Sequence, residues 1–215
     1  MGTAPLNPTQ NKFGAGTIYM ASVGSAVPTL TAAAGKFNFS WASPWVAVGG
    51  TTAGLTLTRT PTASDFFVAE SYYPQHILMT ADDIAGAFAM DQVNKSNLAF
   101  AWNAASTSSM TGSAGAWATS GASGAKVSQF TPPIIGTEVR SMLGWQGQDD
   151  DEVLFIYQVL NVATLSEVAN KAPNPQELLM QLRAELPATN PDTNCGALST
   201  AVVPYRSYYA GTNFD

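Results

Sequence analysis

TADDIAGAFAMDQV, residues 80–93, is the stretch on which the fold turns. Read locally, it begins like a helix. Thr80 can serve as an N-cap, with Asp83 three residues on as its capping-box partner. Met79 and Ile84 fall at the positions of a hydrophobic staple, and Asp82 and Asp83 suit the positive end of a helix dipole. Ala81, Ile84, Ala85 and Phe88 are spaced to bury one face. The expectation is a helix of about three turns, marginal alone and therefore laid on a sheet through Ile84, Ala85 and Phe88.

The surroundings of this stretch read as strands. GLTLTRT (54–60) alternates Leu and Thr at period two, the best single strand signal in the chain. GTIYMAS (16–22), WVAVGG (45–50), DFFVAES (65–71), QHILMT (75–80) and NLAFAWN (97–103) are expected strands as well. Residues 23–44 mix Pro, Gly, Ala and aromatics without a clear period. DEVLFIYQVLNVA (151–163) carries the apolar run of a buried strand. LLMQLRAEL (178–186) suits a helix through Leu178, Leu179, Leu182 and Leu186, or a strand through Met180, Leu182, Ala184 and Leu186. The breaks APNPQ before it and PATNP after it favour the strand. One domain over 1–215 suffices, mainly β with one short helix. It would have a polar N-terminal arm at 1–14 and an aromatic C-terminal segment within 187–215.

Residues 104–125 hold only Gly, Ala, Ser and Thr apart from Met110 and Trp117. A structureless run of that length inside a compact domain is usually functional or disordered, and disordered linkers are normally charged or Pro-rich. The expectation for 104–131 is a long loop that orders against a neighbouring subunit, anchored by Met110 and Trp117.

Hydrophobic residues make up 46% of the 215, but charged residues only 11%, less than half the usual share of roughly 25%. A surface that poor in charge is expected to be glycosylated, rich in inert Ser and Thr, or buried against other subunits. The formal charge of −6 argues against a surface that grips nucleic acid, which must neutralise phosphates. One cysteine, Cys195, allows no intrachain disulfide, and with a single histidine, His76, it leaves no His/Cys metal site. The opening MGTAPLNPTQNKFG lacks the features of a signal peptide or a myristoylation signal. No apolar run of about 18 residues is present to span a membrane. A soluble intracellular product without a cofactor is expected.

Catalytic chemistry finds little support. The acidic run Asp149–Glu152 lacks the spacing of a calcium loop and reads as a solvated turn. His76, beside Ile77 and Leu78, reads as a strand histidine before it reads as a base, and Cys195 as a loop thiol. GSAGAWATSGASG (112–124) is Gly-rich but has no Lys where a P-loop requires one. Trp41, Trp45, Tyr72, Tyr73, Tyr205, Tyr208 and Tyr209 could line a sugar-binding face, or equally a core or interface. The chain is not expected to be an enzyme.

The series GTIYMAS…PTLTAA, WVAVGGTTAGLTLTRT and FVAESYYPQHILMTADDIAGAFAMDQVNKSNLAFAW, followed by a late hairpin, resembles the major tail (tail tube) proteins of long, non-contractile-tailed bacteriophages. The resemblance covers 16–103 and, more loosely, 151–186. It rests on the order of elements, without an invariant motif. It implies two packed antiparallel sheets, a sandwich or partial barrel, flanked by one helix. Six subunits would form a ring, and rings would stack through loops and arms into a tube within the virion tail. The tube would assemble in the host cytoplasm around a tape-measure protein, with tail-tip and tail-terminator proteins at its ends. DNA would pass along the lumen without specific binding. A terminator-type ring or capsid decoration protein shares the composition, and a carbohydrate-binding β-sandwich is the alternative from another class.

Overall fold

The computed structural model describes residues 16–67, 73–104, 117–120, 127–130, 132–165, 177–196 and 200–210. Within them the elements run β1 (Gly16–Ser22), β2 (Ala32–Ala33), β3 (Lys36–Phe37), β4 (Val46–Ala47), β5 (Thr51–Phe66) and β6 (His76–Met90). Then follow α1 (Lys95–Ala101), β7 (Trp117–Ser120), β8 (Val127–Phe130), β9 (Ser141–Gly147), β10 (Glu152–Asn161), β11 (Leu178–Ala184) and β12 (Tyr205–Tyr209). The chain is mainly β with one short helix among the described residues, as expected. The helix, however, is in a different place.

The main sheet is antiparallel, in the order β4-β1-β9-β10-β11-β6-β5. β12 adds to β10 along Glu152–Ile156, on the edge that β11 uses further on at Val159–Asn161. β4 and β5 are three residues apart in the chain yet stand at opposite ends of this order. The sheet must therefore curl on itself. Val48 N–H donates to Ile18 carbonyl (2.9 Å) beside β1, and Asp91 N–H to Gly50 carbonyl (3.0 Å) beside β6, so each end of the short link 48–50 is held at its own side of the sheet. The result is sandwich-like, and no barrel closes.

Inside the curl lie Ile18 and Met20 of β1, Leu143 of β9, and Leu154, Ile156 and Val159 of β10. They meet Leu178, Met180 and Leu182 of β11 and Phe88 and Met90 of β6. The alternate residues of the same strands, Ala21, Met142, Val153, Phe155 and Tyr157, form a second cluster on the opposite face. The segment without a clear period covers that face through Val27, Leu30, Phe37, Phe39 and Trp41, and Trp45 packs beside them. Trp41 stacks on Tyr19 (ring centroids 4.1 Å apart) and contacts Phe155 (5.5 Å). Gly144 makes room for it, since a Cβ there would sit 2.4 Å from the indole. Burial on both faces explains why β10 reads as a continuous apolar run.

Residues 80–90 form the second part of β6, where Thr80, Asp83, Ile84, Ala85 and Phe88 were expected in a helix. The local signals were sound but short of a decision, because β5 needs a partner. Ile84, Gly86, Phe88 and Met90 alternate with Ala85, Ala87 and Ala89, and all four are buried. Thirteen register pairs run from Thr51↔Met90 to Phe66↔His76, with three irregularities. Such long pairing outweighs the modest helix preference of alanine, and Gly86 would cost a helix interior about 1 kcal/mol.

The converse correction applies to NLAFAWN. Residues 95–101 are helical, not extended: Asn94 caps α1, its side chain accepting from Asn97 N–H (2.9 Å). Asn97, wholly buried, donates to the carbonyls of Val48 (2.8 Å) and Gln92 (2.7 Å). Phe100 and Ala101 then close one end of the interior cluster. WVAVGG contributes only the two-residue β4. The expected strand 65–71 is the end of β5 at Phe66, and 68–71 lie outside the described residues. Residues 178–184 are the strand β11, as favoured. Within the expected loop 104–131, Trp117–Ser120 and Val127–Phe130 pair as a small antiparallel sheet.

Candidate assembly surface

β5 and β6 are 16 and 15 residues long, well beyond the usual five or six. β11 pairs with β6 only along Ala85–Met90. Beyond Ala85 the two strands continue as a ribbon that, among the described residues, pairs only within itself, reaching Phe66↔His76. At 3.4 Å per residue this ribbon extends roughly 25–30 Å. Residues 58–67 and 75–82 are exposed throughout, so it projects from the body. Two-stranded ribbons are marginal by themselves in water.

Specific side chains brace the shaft. Arg59 forks onto Asp82, with Nε at 2.9 and 2.8 Å from the two carboxylate oxygens and Nη2 at 2.8 Å. Arg183 of β11 reaches Asp83 (3.2 Å), and Thr80 Oγ1 donates to the Thr62 carbonyl (3.2 Å). These pairs are solvent-exposed and screened, so each adds little stability by itself. Of the three, Arg183–Asp83 ties the ribbon's root to β11, while the other two hold β5 to β6.

The end of the ribbon is apolar. Phe66, Phe67, Ile77, Leu78 and Met79 are each more than half exposed, and Tyr73 is 81% exposed. Exposed apolar side chains on a monomer are normally scattered singly, whereas here they cluster at the end of one ribbon. A separate apolar feature stands on the body. Ile134 and Ile135, 78% and 94% exposed, sit in a turn that is firmly held. Thr137 N–H donates to the Ile134 carbonyl (2.9 Å), and Gly136 N–H to the Glu138 carboxylate (2.9 and 3.0 Å). Gly136 sits at φ +92, where any side chain would be strained.

The residues singled out from the sequence scatter over this arrangement. Ile84 and Phe88, each 5% exposed, join the core at the root of the ribbon, while Ala85 lies on its other face opposite Thr58. Thr80 and Asp83 belong to the shaft, as braces and not as helix caps. Trp117 opens β7, and Met110 lies outside the described residues. The exposed apolar end was overlooked, though HILM followed by a polar stretch was its signal.

Other chemistry-bearing groups have structural employment. Asp192, 3% exposed, accepts from Tyr157 Oη (2.5 Å), Tyr208 Oη (2.6 Å), Asn194 N–H (2.8 Å) and Asn194 Nδ2 (3.0 Å). Burial, then the bonds to Asp192, push both phenols well above their ordinary range. This cluster fastens the segment after β11 against the outer face of β10. Hydrogen bonds from Arg140 and Gln158 hold the Glu185 carboxyl below its ordinary value. Cys195 Sγ lies 3.1 Å from the Asp192 carbonyl and accepts from Asn190 (3.3 Å). His76 starts β6 on the exposed ribbon. Asp149 and Asp150 make the turn between β9 and β10, with Asp150 N–H bonded to the Gly147 carbonyl (3.0 Å).

Trp41, Trp45 and Tyr208 pack against the core and Tyr72 lies outside the described residues, so these aromatics do not form one exposed face. Among the described residues no group of three His, Cys, Asp or Glu is placed to hold a metal ion. No helix among them is long and apolar enough to cross a membrane. Comparison with protein-family models and with curated proteins found no match.

Proposed function

We propose that this chain is a structural subunit that polymerises with copies of itself, as a tail tube protein of a long-tailed bacteriophage does. The observation that carries the reading is the projecting β5–β6 ribbon with its apolar end. Such a feature is a liability on a free monomer and an advantage on a subunit that buries it in a neighbour. The charged share of 11% supports the same reading, since a surface that meets other subunits needs little charge. So does the antiparallel, curled sheet, which leaves β5 as a long edge strand. The strand–helix order behind the resemblance is reversed in 76–101, so the reading rests on these physical features more than on element order.

In this reading six copies form a ring and rings stack into a passive conduit for DNA, assembled with tape-measure, tail-tip and terminator proteins. No bond is made or broken, and no cofactor is needed. Negative-stain electron microscopy of the purified chain over a concentration series, with and without a tail-tip protein, tests it. Hollow tubes with regular axial striation are expected. Monomers or closed particles under every condition would overturn the tube.

A further inference from the structure

The apolar end of the ribbon carries more than a general stickiness. Its register assigns each side chain to a face. Ala63 opposes Met79 and Asp65 opposes Ile77, which places Met79 and Ile77 on one face. Ser64 opposes Leu78 and Phe66 opposes His76, which places Leu78 and Phe66 on the other. Directly opposed residues in an antiparallel pair share a face and successive residues alternate. The consecutive run Ile77-Leu78-Met79, all about 60% exposed, is therefore apolar on both sides. A ribbon that rests on one neighbour needs only one apolar face. Apolar residues on both faces are the mark of a strand covered on both sides.

We infer that the end of the β5–β6 ribbon inserts between two further copies of this chain, each covering one face. The inference rests on the self-assembly reading above and deepens it. Three observations favour copies of this chain as the occupants. The apolar side chains are divided between two faces, two assigned to each, so neither face offers the roughly 800 Å² that one partner contributes to a stable pair. The chain also carries a distinct apolar feature, the braced Ile134–Ile135 turn. A contact between unlike patches propagates through many copies instead of closing as a pair. Finally, the ribbon has no cationic cluster: Arg59 is committed to Asp82, and Asp65 adds negative charge near the end. An element that docks on an anionic lipid surface normally carries Lys and Arg.

The consequence is an assembly without a stable two-chain intermediate. A third copy completes each contact, so growth has a lag and a threshold concentration.

The test uses the full chain with a photo-crosslinking benzoylphenylalanine at Ile77 or at Leu78. Links between chains are expected from both positions, to two different segments. A chain labelled at both should give three-chain products. Links from both positions to one segment, links only within a chain, or none between chains would overturn the inference. So would recovery of the chain on phosphatidylcholine–phosphatidylglycerol vesicles that Ile77→Ser or Leu78→Ser abolishes. Each of those single variants should lower polymer yield about tenfold or more while leaving the unfolding midpoint unchanged, because both residues are exposed in the free chain. If both variants form normal tubes, the two-sided insertion fails and the tube reading survives. If three-chain links appear but microscopy shows only closed particles, the tube reading fails and the insertion survives.

Discussion

Asn161 shows how much one residue can organise. It is 7% exposed, near the end of β10. Its Nδ2 donates to the Ala101 carbonyl (2.7 Å), and its Oδ1 accepts from Gln181 N–H (2.9 Å) and Ala163 N–H (3.1 Å). Asn103 returns two bonds to the Asn161 backbone, at 2.7 and 2.8 Å. The end of α1 is thereby fastened to β10 and β11 where no strand pairing could hold it. Asn161→Ala leaves three backbone groups short of partners and should cost about 2–3 kcal/mol, read as a lower denaturant midpoint. A second residue-scale effect concerns Tyr157 and Tyr208. Their phenols, ordinarily losing a proton near 10.0, are raised by burial and by bonding to Asp192. The unfolded chain ionises there first, so the stabilisation is complete below pH 10 and is lost as pH rises further. Unfolding midpoints should fall from about pH 10 upward, and the double variant Tyr157→Phe, Tyr208→Phe should flatten that fall. Neither cluster was legible in the sequence, because Asp192 and Tyr157, or Asn161 and Ala101, meet only through tertiary contact.

At the scale of elements, the instructive pair is the strand at 76–90 and the helix at 95–101. Thr80, Asp83 and the Ile84–Phe88 spacing satisfy a helix start as far as any local window can tell. What overrules them is the alternation of Leu55 and Leu57 on β5, which needs Ile84, Phe88 and Met90 on one face across the pair. Phe88 is buried in either arrangement, but through different neighbours: in the strand it stands opposite Met180 of β11. Phe88→Asp should therefore abolish soluble folded chain, since an unpaired carboxylate would sit within the sheet interior. Soluble yield and circular dichroism check this, and a normally folded variant would remove Phe88 from the core. By contrast GLTLTRT, the strand 16–22 and the β10 run were readable, because alternation or a bounded apolar run suffices where no competing helix signal exists, and the Pro-containing breaks on either side decided β11 against its helix pattern.

For the whole molecule, the deciding feature is one that no element shows by itself. β5 and β6 are paired beyond the body, and this exposes an apolar end that the other described residues do not cover. Polymerisation into tubes, seen by microscopy, follows if that end finds its place in neighbouring copies. At a formal charge of −6 the copies repel one another at long range, so the apolar contact must overcome repulsion that salt screens beyond about 8 Å. Composition, periodicity and chain breaks by themselves determined a mainly β chain, poor in charge, with strands expected at 16–22, 54–60, 75–80, 151–163 and 178–186. Those properties depend on residue type and on neighbours along the chain. Only the tertiary structure decided that the strand beginning near 76 runs on through 81–90, that 95–101 is the helix, and that the ribbon projects with both faces apolar. Strand pairing is a contract between distant residues, and its energy is invisible to any window that holds only one of the two partners.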